Sequence, residues 1–221
     1  MNSQNVLTLF VLVGLLIVLT FSDGTAQSMF GGPYEVDEHT VLLLHFDENL
    51  ENASDYTEDA VGRGDLSYVW SPLGRGMGSC LHLNNETPDK RSYVRVADSR
   101  YLDLAGSWTI EGWVKFNSIG YPGDHNWVPR LVMKRGEYWW QPNYFVEAWG
   151  HQAGYCMHFS TGYFDGDEWP LVNSPSNFIE LGKWYHVTFI RDPSLHVIAQ
   201  IIRDIGRNIL SVSWYEYDPY T

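Results

Sequence analysis

Three stretches decide the fold class of this chain: Lys183–Asp192 (KWYHVTFIRD), Ser107–Phe116 (SWTIEGWVKF) and Val41–Glu48 (VLLLHFDE). Each is rich in β-branched and aromatic residues and is bounded by Gly, Pro, Asp or Asn, which is typical of strands in a packed sheet. Alternate positions from Trp108 to Phe116 form one apolar face, whereas both faces of Lys183–Asp192 carry apolar residues. We therefore expect Lys183–Asp192 to be an inner strand that is covered on both sides.

Similar short runs recur along the chain, separated by turn residues. Outside the N-terminal segment no apolar pattern keeps a helical period, so the runs predict an antiparallel β-sandwich. A chain of 221 residues is long enough for one such domain. The further predicted strands are Leu66–Val69, Ser79–Leu83, Tyr93–Val96, Arg130–Lys134, Tyr144–Trp149, Tyr155–Ser160, Val197–Arg203 and Leu210–Tyr215.

In order and spacing, these phrases resemble the LamG-like jelly-roll family of the concanavalin A-like lectin and glucanase superfamily. Asp59–Gly62 resembles the family's Asp-x-x-Gly turn, Gly78–Leu83 its Gly-x-x-Leu-x-Leu strand, and Trp184–Val187 its Trp-Tyr-His-Val phrase. The resemblance covers Thr40 to the last residue and implies an all-β, antiparallel jelly-roll sandwich. The family's closing strands have no counterpart here, so we expect a LamG-like domain over residues 40–221 that is C-terminally truncated.

The N-terminus has the pattern of an export signal. Val6–Leu19 is apolar except for Thr8 and Gly14, and its 14 residues are fewer than the roughly 20 that a membrane-crossing helix needs. We expect a signal helix within residues 1–26, cleaved after Ala26, with an uncleaved anchor as the alternative and a linker over residues 27–39. The protein is then secreted, periplasmic or on the cell surface.

The charge of the chain excludes some partners. Formal net charge is −13, and residues 1–62 contain ten Asp or Glu and no Lys or Arg. Nucleic-acid binding depends on basic residues that neutralise phosphates, so we expect no nucleic-acid partner. For the same reason we expect no contact with an anionic membrane beyond the N-terminal segment. The sequence leaves the oligomeric state open.

Cys80 and Cys156 are the only two cysteines, and both lie in predicted strands. An oxidising compartment allows one intramolecular disulfide between them. The alternative is two small buried residues whose thiols never meet. Spacing alone does not decide between them, because a disulfide requires the two Cα atoms to lie within about 7 Å.

The superfamily includes glucanases, whose catalytic strand carries paired carboxylates about 5 Å apart. The acidic clusters Glu35–Glu38 and Asp165–Glu168 lack the required spacing and lie outside the predicted strands. Glu111 is the one carboxylate that we expect in a central strand, with a neighbouring Lys or Arg as its partner. The eight histidines are scattered, and His158 and His186 each stand singly in a strand. We therefore expect no catalytic residues and keep a glycan-active hydrolase as an alternative.

Calcium is a possible cofactor. LamG-like and related lectin sandwiches often hold Ca²⁺ at the rim of the sandwich, and Ca²⁺ takes six to eight oxygen ligands. The resemblance implies Asp59, in the Asp-x-x-Gly turn, together with Asp47 at the end of the first predicted strand. Asp165 and Asp167 form an independent loop candidate. Solvated loop acids that form Asx turns are the alternative for all four.

Aromatic residues are frequent in the loop-rich middle of the chain, from Tyr121 to Trp169. Sugar rings stack on aromatic side chains while their hydroxyls bond to polar groups. Ligand-binding candidates are Trp127, Trp139, Trp140 and Trp169. Together with the resemblance, they favour a non-catalytic, exported binding or adhesion module whose partner is a carbohydrate or glycoprotein. A structural spacer of a larger surface protein is a further alternative.

Overall fold

The computed structural model describes residues 34–71, 78–85, 91–104, 106–118, 129–135, 142–151, 154–161 and 171–217. Within these ranges the chain forms twelve strands and one 3₁₀ turn, at Arg100–Leu102. In chain order the strands are β1 (Val61–Arg63), β2 (Leu66–Trp70), β3 (Ser79–Leu83), β4 (Tyr93–Arg95), β5 (Trp108–Lys115), β6 (Arg130–Arg135), β7 (Pro142–His151), β8 (Gly154–Thr161), β9 (Leu171–Asn173), β10 (Trp184–Asp192), β11 (Val197–Arg203) and β12 (Ile209–Glu216).

The strands form two four-stranded sheets and two strand pairs, all antiparallel, which confirms the predicted all-β sandwich. The first sheet has the order β12-β11-β10-β5, and the second sheet has the order β6-β7-β8-β9. The pairs are β1 with β4 and β2 with β3. No helix in the described part of the chain is long and apolar enough to cross a membrane. The predicted signal segment, Val6–Leu19, lies outside the described residues.

The main core lies between the first and second sheets. Phe159 of β8 contacts Phe189 of β10 with ring centroids 5.2 Å apart and Trp108 of β5 with centroids 5.7 Å apart. Val146 and Ile202, from β7 and β11, are completely buried in the same cluster. Each sheet therefore has an inner face toward this core and an outer face that points away from it.

Strand β10 is an inner strand covered on both faces, as its sequence predicts. It pairs with β5 on one side and β11 on the other. On its inner face Val187 and Phe189 are buried in the core, and on its outer face His186 and Thr188 are also buried. Burial of polar side chains on the outer face shows that another part of the chain lies over it.

The prediction of a strand at Val41–Glu48 is wrong. This segment makes only one isolated bridge, between Leu44 and Asn52. Phe46 and Glu48 have positive φ angles of 58° and 61°, which interrupt an extended backbone. Backbone amides of this segment bond to side chains and not to a neighbouring strand: the Leu43 amide donates to Asn52 Oδ1, and the Glu48 amide donates to the Ser79 hydroxyl.

Two short strands, β1 and β9, were not predicted. Gly62, the last residue of the predicted Asp-x-x-Gly turn, lies within β1 and pairs with Val94. A Cβ at Gly62 would contact the side chains of Leu66 and Leu50 at 3.0 and 3.1 Å. The phrase therefore leads into a strand that packs on a small apolar cluster next to the main sandwich.

Candidate functional site

Six of the predicted site residues lie outside the described residues. They are the four aromatic candidates and two of the four calcium candidates: Trp127, Trp139, Trp140, Trp169, Asp165 and Asp167. By chain order, residues 119–128, 136–141 and 162–170 precede or connect strands of the second sheet.

Asp47 ties the N-terminal part of the domain to β3. Its Oδ1 accepts a hydrogen bond from the Ser79 amide at 2.9 Å, and the Ser79 hydroxyl lies 3.4 Å from the same oxygen. Gly78, with φ +54°, permits this approach, because a Cβ there would lie 2.5 Å from Asp47 Oδ1. The contacts give this predicted calcium ligand a structural role.

Asp59 also bonds to backbone: its Oδ1 accepts from the Asn52 amide at 2.8 Å. Beside it, His45, Asp47, Glu51 and Asn52 line a cleft of about 280 Å³. Among the residues that the structure describes, no group of three or more His, Cys, Asp or Glu side chains is arranged to hold a metal ion. The rim acids are thus brought near one another without forming a metal centre of that kind.

Cys80 and Cys156 carry free thiols, so the disulfide that the sequence allows is not formed. Cys80 lies in β3, where its Sγ is 3.4 Å from the Val69 carbonyl oxygen, whereas Cys156 is buried in β8 of the second sheet. Burial raises the pKa of both thiols. The structure thus agrees with the other expectation, two cysteines whose thiols do not meet.

A row of polar side chains crosses the outer face of the second sheet. The strand register places Arg130 opposite Glu147, Glu147 opposite His158, and His158 opposite Asn173. Directly opposed residues share a face, with Cβ atoms about 5 Å apart. We call these four residues the polar row. It spans three interstrand steps of about 4.8 Å, or about 14 Å in all.

Arg130 and Glu147 form an ion pair within the polar row. Arg130 Nε donates to Glu147 Oε2 at 3.3 Å, with the carboxylate side chain 7% exposed and the guanidinium side chain 48% exposed. Burial raises the pKa of Glu147, and Arg130 opposes that rise. The Arg130 side chain makes no other hydrogen bond to a described residue, and the exposed Asn173 side chain makes none. Arg130 and Asn173 are the members of the polar row that are exposed to solvent.

A less polar row lies beside the polar row on the same face. It joins Met133 to Phe145, Phe145 to Ser160, and Ser160 to Leu171. Met133 is exposed, and Phe145 and Leu171 are half-buried. Ser160 is buried, as is Glu147 in the polar row, so the exposed groups of this face, Arg130, Met133 and Asn173, lie at its two edges, on β6 and β9.

The outer face of the first sheet carries a second polar cluster around Glu111. His186 Nε2 lies 3.8 Å from Glu111 Oε2, and Thr188 lies opposite Glu111 on β10. Arg203 lies opposite His186 on β11, and its charge opposes the rise in the Glu111 pKa that burial produces. An arginine near Glu111 is the kind of partner that the sequence predicts.

His186 is the most buried member of this cluster. Its side chain is completely buried, and the pKa of its imidazole falls to about 4, first because of burial and second because of the nearby Arg203 charge. The edge of the Trp113 ring packs on the imidazole, with centroids 5.1 Å apart. At neutral pH His186 is therefore an uncharged donor and acceptor.

Tyr34 covers the cluster. Its hydroxyl lies 2.6 Å from His186 Nε2 and also hydrogen-bonds to Glu111, and burial is the main reason that its pKa is raised. The sequence assigns Tyr34 to the linker over residues 27–39, but its side chain packs against the first sheet. A single tyrosine before the first predicted strand gives no sequence signal of this contact.

The candidate site residues that sequence reasoning did not identify are those that pair across strands. Glu147 lies in the predicted strand Tyr144–Trp149, which is an inner strand of the second sheet, whereas Glu111, expected in a central strand, lies on β5 at the end of the first sheet. His158 and His186, scattered in the sequence, each lie beside a glutamate on a neighbouring strand. Alternation along each strand could have placed these residues on outer faces, but only the register brings them together.

Comparison with known proteins does not assign the chain to a family. No family model matches it, and no curated protein and no solved structure is significantly similar to it.

Proposed function

We propose that the chain is an exported, non-catalytic β-sandwich module of the LamG-like jelly-roll type that binds carbohydrate, free or as the glycan of a glycoprotein. The observation that carries the proposal is the polar row of Arg130, Glu147, His158 and Asn173 on the outer face of the second sheet.

The polar row and the apolar row beside it have complementary chemistry to a sugar. A sugar ring presents apolar C–H surface on its faces and hydroxyl groups at its edge. Arg130 donates hydrogen bonds, and Asn173 both donates and accepts. Exposed Met133 and half-buried Phe145 supply the apolar contact.

Charge favours a neutral ligand at this face. The Arg130 guanidinium is balanced by the Glu147 carboxylate at 3.3 Å, so the pair has no net charge. In this arrangement Glu147 holds Arg130 in position, and the exposed end of Arg130 binds the ligand. Arg130 and Asn173 are exposed at the two ends of the row, whereas Glu147 and His158 between them are buried and half-buried, so a ligand that contacts both ends spans about 14 Å, the length of a short oligosaccharide.

The alternative of a glycan-active hydrolase requires two carboxylates about 5 Å apart for retention, or up to about 9.5 Å apart for inversion. Glu111 and Glu147 lie on the outer faces of the first and second sheets and point away from each other. Packed sheets are about 10 Å apart, which separates these carboxylates by more than either mechanism allows. This geometry supports the non-catalytic proposal.

A glycan array with the exported chain tests the proposal, in the presence of Ca²⁺ and again with chelator. We expect binding to neutral polysaccharides that weakens at least tenfold in Arg130→Lys and Asn173→Ala. Asn117→Ala, at an exposed asparagine of another loop, is the matched control and should bind normally. Loss of binding in chelator would support calcium at the rim near Asp47 and Asp59. A blank array from folded protein would contradict carbohydrate binding and favour a structural spacer.

A further inference from the structure

The two outer faces of the sandwich carry the same three chemical groups. On the second sheet Arg130, Glu147 and His158 lie on adjacent strands β6, β7 and β8. On the first sheet, glutamate, histidine and arginine again come from adjacent strands: Glu111 on β5, His186 on β10 and Arg203 on β11. The set on the second sheet reaches solvent through Arg130, whereas the set on the first sheet lies beneath Tyr34.

The first-sheet cluster is built to bind a hydroxyl group. The Tyr34 hydroxyl contacts both His186 Nε2, at 2.6 Å, and the Glu111 carboxylate. The Glu111 side chain remains 35% exposed while that of His186 is completely buried, so Glu111 is the member of the pair that reaches solvent. The Trp113 ring, packed on His186, adds an aromatic wall.

Tyr34 is joined to the domain through a weakly held stretch. All five residues from 35 to 39 are exposed. The hydrogen bonds of this stretch to described residues are four local ones, three between Asp37 and Thr40 and one between Asp37 and His39, and one from the Tyr56 hydroxyl to the Glu38 carbonyl. Segments held by few contacts open at low free energy. We call residues 34–39 the Tyr34 segment.

We propose that the outer face of the first sheet is a second carbohydrate-binding site, which the Tyr34 segment closes and in which the Tyr34 hydroxyl takes the position of a sugar hydroxyl. The site is distinct from the polar row, because the two lie on opposite faces of the sandwich.

Once Tyr34 leaves, the site offers the groups that a neutral sugar needs. The Glu111 carboxylate accepts hydrogen bonds, and His186 Nε2, which loses its 2.6 Å contact with the Tyr34 hydroxyl, bonds to a ligand hydroxyl instead. The aromatic edge of Trp113 borders the apolar side of the ring. Arg203 partly balances the charge of Glu111, which again favours an uncharged ligand.

The closed segment lowers the apparent affinity of this site by the fraction of molecules in which the segment is open. Tyr34→Ala removes the competing hydroxyl and ring and should raise that fraction. In titration calorimetry with laminarihexaose, cellohexaose and xylohexaose, we expect Tyr34→Ala to bind one of them at least tenfold more tightly at this site than the unmodified chain does. Adding Glu111→Gln should abolish the gain. Tyr93→Ala, at an exposed tyrosine of β4 that makes no contact with the Tyr34 segment, should not produce it.

Binding at the second site is distinguished from binding at the polar row by repeating the measurement in a variant that also carries Arg130→Lys and Asn173→Ala. Binding that appears with Tyr34→Ala in this background supports the second site even where the polar row binds none of the three sugars. Binding by the polar row with no gain from Tyr34→Ala overturns the second site alone.

Tyr34→Ala could fail to fold, so a second experiment releases the Tyr34 segment without this substitution. A protease recognition sequence inserted between Glu35 and Val36, both exposed, allows cleavage after the intact chain has folded. We expect the cleaved protein to bind as Tyr34→Ala does. If the cleaved protein keeps its thermal transition and binds none of the three oligosaccharides, the proposal is wrong.

Discussion

The hydroxyl of Tyr34 lies 2.6 Å from Nε2 of His186, a residue 152 positions later in the chain. The bond joins the segment before the domain to the central strand of the first sheet. His186 is completely buried and Glu111 is near enough to share the same hydroxyl. A polar cluster on an outer sheet face is thereby shielded from solvent.

Removing the Tyr34 hydroxyl should destabilise the folded chain. Tyr34→Phe keeps the ring but leaves polar atoms of His186 and Glu111 without this partner, and an unsatisfied buried polar group costs about 1–3 kcal/mol. We expect a loss of about that size in the free energy of unfolding, measured by urea titration. Tyr56→Phe, which removes a more exposed hydroxyl bonded to the Glu38 carbonyl at 3.1 Å, should change stability by less than about 0.5 kcal/mol. Equal losses in the two variants would contradict the burial argument.

Stability should fall on acidification through the titration of His186. The imidazole pKa is about 4 in the folded chain and about 6.5 when unfolded. Between these values the unfolded chain binds a proton that the folded chain does not, so this group lowers stability as pH falls from about 6.5 to about 4. The full effect is up to about 3 kcal/mol.

The pKa of Glu111 is raised, so this carboxylate acts in the opposite sense: its protonation in the folded chain adds stability as pH falls through that raised value. The histidine contribution is isolated by comparing the unmodified chain with His186→Gln. The difference between their unfolding free energies should change steeply from pH 6.5 to 4. His39→Gln, at an exposed position, is the control. Parallel profiles for the unmodified chain and His186→Gln would show that His186 keeps its ordinary pKa.

Replacing each of three glycines with alanine should change the stability of the folded chain by amounts that follow a fixed order. At Gly78 a Cβ would lie 2.5 Å from Asp47 Oδ1 and φ is +54°, so Gly78→Ala should cost more than about 2 kcal/mol. At Gly182 φ is +78° with open space around the Cβ, so we expect about 1 kcal/mol from strain alone. At Gly112 the backbone is ordinary and the space is open, so alanine should be neutral or slightly stabilising. Thermal melts rank the three, and a neutral Gly78→Ala would refute the close contact with Asp47.

Arg130 should stabilise the buried carboxylate of Glu147. Arg130→Met leaves that carboxylate without its ion-pair partner, so stability should fall by about 1 kcal/mol at pH 7. The loss should shrink toward pH 5, because the raised pKa of Glu147 lets it bind a proton and lose its charge. Adding Glu147→Gln should recover part of the loss. Glu180→Gln, which breaks an exposed pair with Lys183, should have little effect. A loss in Arg130→Met that neither pH nor Glu147→Gln reduces would mean that the pair contributes only by packing.

Both cysteines should react as thiols in unreduced protein. In denaturant we expect two thiols per chain by a colorimetric assay. In the folded state Cys156 should react more slowly than Cys80, because it is buried whereas Cys80 is half-buried. A count of zero in denaturant would show that a disulfide forms after all.

Local sequence determined most of the strands. Runs such as Trp108–Phe116 and Val197–Arg203 alternate apolar and other side chains over most of their length, and this pattern depends only on which side chains point to each face. It failed at Val41–Glu48, where the composition suits a strand but positive φ angles at Phe46 and Glu48 break the extended chain. Side-chain bonds from Asn52 and Ser79 stabilise that irregular path, and composition does not reveal such bonds.

The sequence by itself therefore determined the all-β class, most strand positions, the inner and outer faces of the principal strands, and the acidic charge of the chain. Tertiary structure alone decided which side chains meet: Arg130 with Glu147, His186 with Glu111, and Tyr34 with both members of the latter pair. The physical reason is that a strand's own sequence sets which way its side chains point. Its neighbours and register, in contrast, are set by packing of the whole core, which brings together residues far apart in the chain.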